Sequence, residues 1–173
     1  MRMTKMVVFL GNPGLQYRKT RHNAAWLFCS HLNLPGLWRP KFHGEFLKDG
    51  EMLWLKPQTF MNESGRCVAE ACSFFNVTPD RVLVVHDDIE TAFGRVSLKK
   101  GGGLAGHNGL RSVKQYLGTE DFYRLKLGVG RPQNGMDVSA YVLSAFTDLE
   151  AASLDLMFDQ AAKLLTDFTG DRR

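Results

Sequence analysis

Four separate stretches of the 173-residue chain carry side chains that could act together on a carbonyl. Asn12 and His22 both lie in "GNPGLQYRKTRHN" (Gly11 to Asn23), and Asn62 follows Met61 in "KPQTFMNESG". His86, Asp87 and Asp88 are consecutive, and His107 precedes Asn108. A histidine with an ordinary pKa of about 6.5 accepts a proton at neutral pH, a carboxylate can orient it, and neutral carboxamide N–H groups can stabilise an oxyanion. The set suits attack of water on a carbonyl and supplies no redox chemistry. Taken singly, each residue has a plain structural use: asparagine is favoured at turns and N-caps, Asp87 could cap a turn, and His22 could be a surface or satisfied core group. Repetition across four connections is what makes the chemical reading competitive.

The surrounding elements must bring these residues together. "KMVVFL" (Lys5 to Leu10) reads as a short buried strand stopped by Gly11-Asn12-Pro13-Gly14. Apolar spacing at Ala24, Leu27, Phe28 and Leu32 predicts a helix over 20–34, with Thr20 or Asn23 near its start and His22 in or before its first turn. Phe42 to Leu47 and Met52 to Lys56 flank "KDG" as a hairpin, and "PQTFMNES" leads into a helix ending near Phe75. "RVLVVHDDIE" is a β-branched strand ending in His86-Asp87-Asp88, and Arg95 to Lys99 is another. Asn108 to Leu117 reads as a helix closed by Gly118, Phe122 to Val129 as a strand, and Thr147-x-x-Glu150 as a capping box opening a helix to about Phe168. Alternation of this kind predicts an α/β fold with a mixed sheet, in which loops at the carboxyl ends of parallel strands converge on one crevice.

Length and composition bound the rest. A chain this long buries roughly 70% of its unfolded surface, so one domain over residues 1–173 is expected. Hydrophobic residues make up 44% of the chain and charged ones 23%, with no repeat or low-complexity run. "MVVFL" is far too short for a signal-peptide core, and no stretch approaches the ~18 apolar residues of a membrane span, so a cytoplasmic protein is expected. Cys29, Cys67 and Cys72 form neither an even set nor a CxxC pair and read as reduced core residues. The net charge of +4 is modest, but cations gather at Arg18, Lys19 and Arg21, at Lys99 and Lys100, and at Arg124, Lys126 and Arg131. These clusters lie beside glycine-rich turns and point toward a polyanionic partner.

Competing motifs are weaker. "GGGLAG" (Gly101 to Gly106) fits GxGxxG formally, yet the following strand ends "LGVG" without an acidic residue for a ribose. A P-loop would need Lys and Ser or Thr after the last glycine, where His107-Asn108 stand, and there is no G-x-S-x-G elbow. His86-Asp87-Asp88 could hold a divalent metal, but adjacent ligands without HExxH make this a minority reading. Gly101 to Gly103, preceded by Lys99 and Lys100, would let backbone N–H groups approach a nucleic-acid phosphate.

The ordered combination of "GNPGLQYRKTRHN", "KPQTFMNESG", "VVHDDIETAFGRVSLKKGGGLAGHNGLRSV" and "FYRLKLGVGRP" closely resembles bacterial-type peptidyl-tRNA hydrolases. The resemblance runs from about Val7 to Leu143. It implies a twisted mixed sheet flanked by helices and cleavage of the ester between a peptide and the 3′-terminal ribose of tRNA, without cofactor or metal, in a monomer. It also implies that His22 is the catalytic base, Asp87 its orienter, and Asn12, Asn62 and Asn108 the active-site asparagines. Tyr17 matches the tyrosine near the tRNA 3′ end, Phe60 and Met61 the peptide groove, and Lys99 and Lys126 the basic pair on the tRNA 5′-phosphate. Four departures stand out: Phe9 and Ala25 where glycine is usual, Leu104-Ala105 for a common His-Gly pair, Lys126 for an arginine, and an end at "TGDRR" expected to trim the C-terminal region.

Overall fold

The computed structural model describes residues 3–170; Asp171 to Arg173, and with them the expectation about the chain's end, lie outside the described residues. Seven strands form one mixed sheet: β1 (Lys5–Phe9), β2 (Arg39–Lys41), β3 (Gly44–Asp49), β4 (Met52–Pro57), β5 (Val82–Asp88), β6 (Val96–Lys100) and β7 (Tyr123–Gly128). Their order is β2-β3-β4-β1-β5-β7-β6. β4, β1, β5 and β7 run parallel, while β2, β3 and β6 pair antiparallel at the two edges. The helices are α1 (Ala24–Leu32), α2 (Ser64–Phe75), α3 (Asn108–Leu117), α4 (Val138–Val142) and α5 (Asp148–Thr169).

The continuous apolar runs of β1 and β5 follow from burial on both faces, as a parallel sheet centre requires. Alternate residues feed two cores. Val7, Phe9, Leu83 and Val85 pack with Phe28 of α1 and Phe158 and Leu165 of α5, whereas Met6, Val8, Val82 and Val84 pack with Val68 of α2 and Leu110 and Val113 of α3. Gly65 brings α2 against α3 so closely that a Cβ there would lie 2.1 Å from the Ser112 carbonyl oxygen. The three cysteines are buried and free, with thiols pushed up by burial to about 12.

The expected α/β class and mixed sheet are what the chain forms. The helix expected over 20–34 is divided into a 3-10 turn (Arg21–Asn23) and α1, which ends with Asn33 in the left-handed region (φ 48°). Thr147 and Glu150 complete the capping box of α5. Two elements add to the sequence reading: β2, three exposed edge residues including Pro40, and the five-residue α4.

One expectation is corrected. The crevice was expected to collect loops from the carboxyl ends of parallel strands, but β6 runs antiparallel to β7, and its last residue, Lys100, pairs with Tyr123 at the start of β7. Residues 101–107 therefore run back along the sheet before α3 begins.

Phe9 and Ala25, which replace expected glycines, are both fully buried. Phe9 packs between Phe28 and Trp54, at centroid distances of 6.2 and 6.1 Å. The close backbone approach falls instead at Gly11, where a Cβ would come within 2.6 Å of the Trp26 indole, whose Nε1–H donates to the Phe9 carbonyl at 2.9 Å.

Candidate active site

β1 delivers Asn12 to the carboxyl end of the sheet, and three hydrogen bonds fix it. Its backbone N–H donates to Asn23 Oδ1 (2.9 Å), and its carbonyl accepts from Asn23 Nδ2 (3.0 Å). The Asn12 side-chain oxygen accepts the backbone N–H of Met61 at 2.7 Å. A carboxamide whose oxygen is committed to an N–H must present its NH2 on the other side. Asn12 is therefore a buried donor of known orientation.

The 3-10 turn delivers His22, and the last residues of β5 deliver Asp87. His22 Nδ1 lies 2.8 Å from Asp87 Oδ2. With Asp87 ionised, the proton between them belongs to Nδ1, which leaves Nε2 as the ring's acceptor. Burial, the largest influence on His22, opposes its charged form, yet the Asp87 charge and hydrogen bond outweigh it and hold the imidazole above its ordinary pKa. Burial likewise opposes the charge on Asp87; the two imidazoles beside it and the hydrogen bonds they donate hold its carboxyl well below the usual range.

The second imidazole is His107, whose Nε2 donates to the other Asp87 oxygen at 2.8 Å. Its Nδ1 accepts the backbone N–H groups of Gly109 (3.0 Å) and Leu110 (3.2 Å), so the side chain is the N-cap of α3. The sequence reading counts His107 among the grouped polar side chains but gives it no specific role, whereas Asn108 receives one. The available signal was its place one residue before a helix, where a capping acceptor is required. Asn23 is similarly under-read: expected near a helix start, it makes no side-chain cap bond and brackets Asn12 instead.

A small cleft opens beside this centre, lined by His22, Asp87, His107, Asn108, Val138 and Val142 among others. Asn108 is exposed at its rim, its Oδ1 accepting from Arg111 at 3.2 Å. Asn62 is exposed in the 3-10 turn Met61–Glu63. Phe60 is 59% exposed and meets Tyr17 edge-on at 6.4 Å. Met61, expected in the groove, is only 4% exposed; its side chain joins the α2–α3 core and its backbone N–H serves Asn12.

Lys99 and Lys126 lie on the antiparallel pair β6–β7. The register sets Lys99 opposite Arg124 and Ser97 opposite Lys126, which puts the two lysines diagonally on one face of the sheet. Arg124 itself is fully buried and donates to the carbonyls of Gly102, Gly103 and Glu120. It ties down the glycine loop instead of adding an exposed charge. In that loop Ala105 adopts a φ of 51°, which costs a Cβ-bearing residue more than the usual glycine.

The His86-Asp87-Asp88 triplet does not converge. Successive strand side chains point to opposite faces, and the Asp88 oxygens accept from Glu90 N–H and Thr91 O–H. His86 Nδ1–H donates to the Asp87 carbonyl, while burial and the neighbouring His107 push its pKa down to about 3. His22, Asp87 and His107 do offer donor atoms within 4.8 Å of one another. His107, however, has given its one free lone pair to two backbone N–H groups, and a neutral imidazole has no second acceptor for a metal.

A histidine–aspartate pair and an oriented carboxamide stand together near the carboxyl ends of β1 and β5, residue types suited to hydrolysis on an α/β sheet. The peptidyl-tRNA hydrolase family profile matches residues 6–172, and the chain belongs to that family. It is 49% identical over 160 residues to the peptidyl-tRNA hydrolase of Treponema pallidum, covering 86% of this chain and 79% of that one. With the enzyme of Desulfitobacterium hafniense it shares 45% over 168 residues, covering 94% and 91%. The crystal structure of peptidyl-tRNA hydrolase from Acinetobacter baumannii superposes with a TM-score of 0.85 at 33% identity, covering 98% of this chain and 92% of that one.

Proposed function

We propose that the chain hydrolyses the ester joining a peptide, or an N-acylated amino acid, to the 3′-terminal ribose of tRNA, recycling tRNA from peptidyl-tRNA released prematurely by ribosomes. The observation that carries this reading is the His22–Asp87 contact at 2.8 Å, which leaves Nε2 as a base in the cleft. Nε2 takes a proton from water as the oxygen adds to the ester carbonyl. The Asn12 NH2 donates to the developing oxyanion, and Asp87 stabilises the imidazolium. Collapse breaks the bond to the ribose oxygen, which leaves with the proton from Nε2. Because an ester leaves more readily than an amide, neither a covalent nucleophile nor a metal or other cofactor enters the scheme.

Asn62 and Asn108 bind peptide amide groups, which a free, charged amino terminus would not match. Tyr17 and Phe60 flank the terminal nucleotide and the start of the peptide, with Met61 acting through its backbone on Asn12. Lys99 and Lys126 hold the tRNA 5′-phosphate. The enzyme works as a one-domain monomer in the cytoplasm, in keeping with the absence, among the described residues, of any helix long and apolar enough to cross a membrane. The test compares hydrolysis of N-acetyl-aminoacyl-tRNA with that of free aminoacyl-tRNA in excess chelator. Selective turnover is expected; equal cleavage of both, or loss of activity with chelator, would overturn the reading.

A further inference from the structure

Arg21 immediately precedes His22, is 6% exposed, and has no part in the chemistry above. Although the sequence groups it with Arg18 and Lys19 as a surface cation, its side chain turns inward. Nη1 donates to Ser144 Oγ (2.5 Å) and the Tyr141 carbonyl (3.3 Å), Nη2 donates to Glu150 Oε1 (2.7 Å), and the guanidinium carbon stands 4.1 Å from the centre of the Tyr141 ring. The same Glu150 oxygen accepts the Thr147 N–H in the capping box of α5.

Backbone contacts run alongside. Arg21 N–H donates to the Ser144 carbonyl and Phe146 N–H to the Lys19 carbonyl, while Thr20 and Ala145 form an antiparallel bridge. The segment held in this way carries α4, and Val138, Ser139 and Val142 of α4 form a wall of the cleft that His22 also lines. Tyr141 is anchored in turn, its hydroxyl donating to the Val129 carbonyl at 2.6 Å.

We propose that Arg21 is a positioning residue whose guanidinium fork locks the His22 turn to the α4 wall, so that the base and the cleft keep one geometry. The inference rests on the hydrolytic reading of His22. Packing alone could hold two segments together more cheaply than a buried cation, which is costly unless geometry repays it. What the planar fork adds is direction, because several donors in one plane fix the backbone from which His22 projects. In a 3-10 turn a rotation at one residue swings the next, and a misplacement of about 1 Å at a catalytic group costs on the order of a hundredfold in rate.

The test measures kcat and KM on N-acetyl-aminoacyl-tRNA for the parent, Arg21→Lys, Arg21→Gln and Ser144→Ala, together with the His22 imidazole titration by nitrogen NMR. Asp87 and His107 are the titratable groups facing that ring. Arg21→Lys and Arg21→Gln are expected to lower kcat roughly ten- to a hundredfold with KM nearly unchanged, and Ser144→Ala to lower it less. The His22 midpoint should move toward that of an unpaired imidazole as the Asp87 bond loosens. Folded variants with parental kcat and titration, or a rise in KM at constant kcat, would overturn the proposal. Should the Arg21 variants not fold, Ser144→Ala decides alone, parental behaviour counting against it. A parent that fails to turn over the substrate counts against the proposed function, whereas the titration still judges the role of Arg21.

Discussion

Asn23 holds the backbone of Asn12 through two opposed amide contacts, 2.9 Å to its N–H and 3.0 Å to its carbonyl, so that one side chain mimics a strand at the end of β1. Both backbone groups are buried with nothing else to pair them. Asn23→Ala should therefore cost about 2–5 kcal/mol, the penalty for two unsatisfied buried groups. Denaturant unfolding measures the loss, and kcat of the folded fraction should fall as well, because Asn12 loses its frame.

The orientation of Asn12 makes a sharper variant available. Asn12→Asp keeps an oxygen for the Met61 N–H but removes the NH2 proposed as the oxyanion donor. With one oxyanion donor gone, kcat should fall roughly 10²- to 10³-fold while the fold survives. Retention of parental kcat in a folded Asn12→Asp protein would remove Asn12 from the chemistry.

The His22–Asp87 pair sets the pH dependence. The base must be unprotonated to act, and its pKa is raised in the folded state, so kcat/KM should fall with decreasing pH through a midpoint above about 6.5. Stability runs the other way for this group: its contribution is fully present below about 6.5 and disappears as pH rises through the folded-state value. In Asp87→Asn burial acts unopposed, so the midpoint should drop below about 6.5 and the plateau should fall by about 10³–10⁴. A pH–rate profile of parent and variant reads both effects; an unmoved midpoint would contradict the pairing.

Lys99 and Lys126 should act on binding alone. Replacing both with alanine should raise KM, leave kcat nearly unchanged, and reduce the slope of log affinity against log salt by about 1–2. Lys126→Arg should tighten binding, because a guanidinium grips a phosphate through two donors where an ammonium offers one point charge. A salt titration of tRNA binding checks both expectations.

Where chain pattern and local chemistry coincide, the sequence was readable. The buried runs of β1 and β5, the helix from Asn108 to its glycine stop, and the capping box of α5 are local signals and appear where they were expected. β2 is too short, exposed and proline-bearing to signal a strand, and the direction of β6 is a property of its pairing with β7. His22 and Asp87, 65 residues apart, were joined by the family resemblance and by their places at element ends. His107, Asn23 and the inward turn of Arg21 were hidden because a side chain's partner is tertiary information. In each case a polar residue beside a helix start turned out to serve a distant backbone or carboxylate.

The fork at Asp87 has a consequence for how the molecule folds. Its two histidines lie 65 residues before it and 20 after it, so three chain segments must dock before both oxygens of that carboxylate have their donors. An intermediate with the sheet formed but either segment undocked would leave one oxygen of this carboxylate without its donor at the end of β5, and such species are disfavoured. The long sequence separation places this closure among the slower contacts to form. Refolding followed by enzyme assay should thus show activity returning with the last structural phase and no partly active species before it.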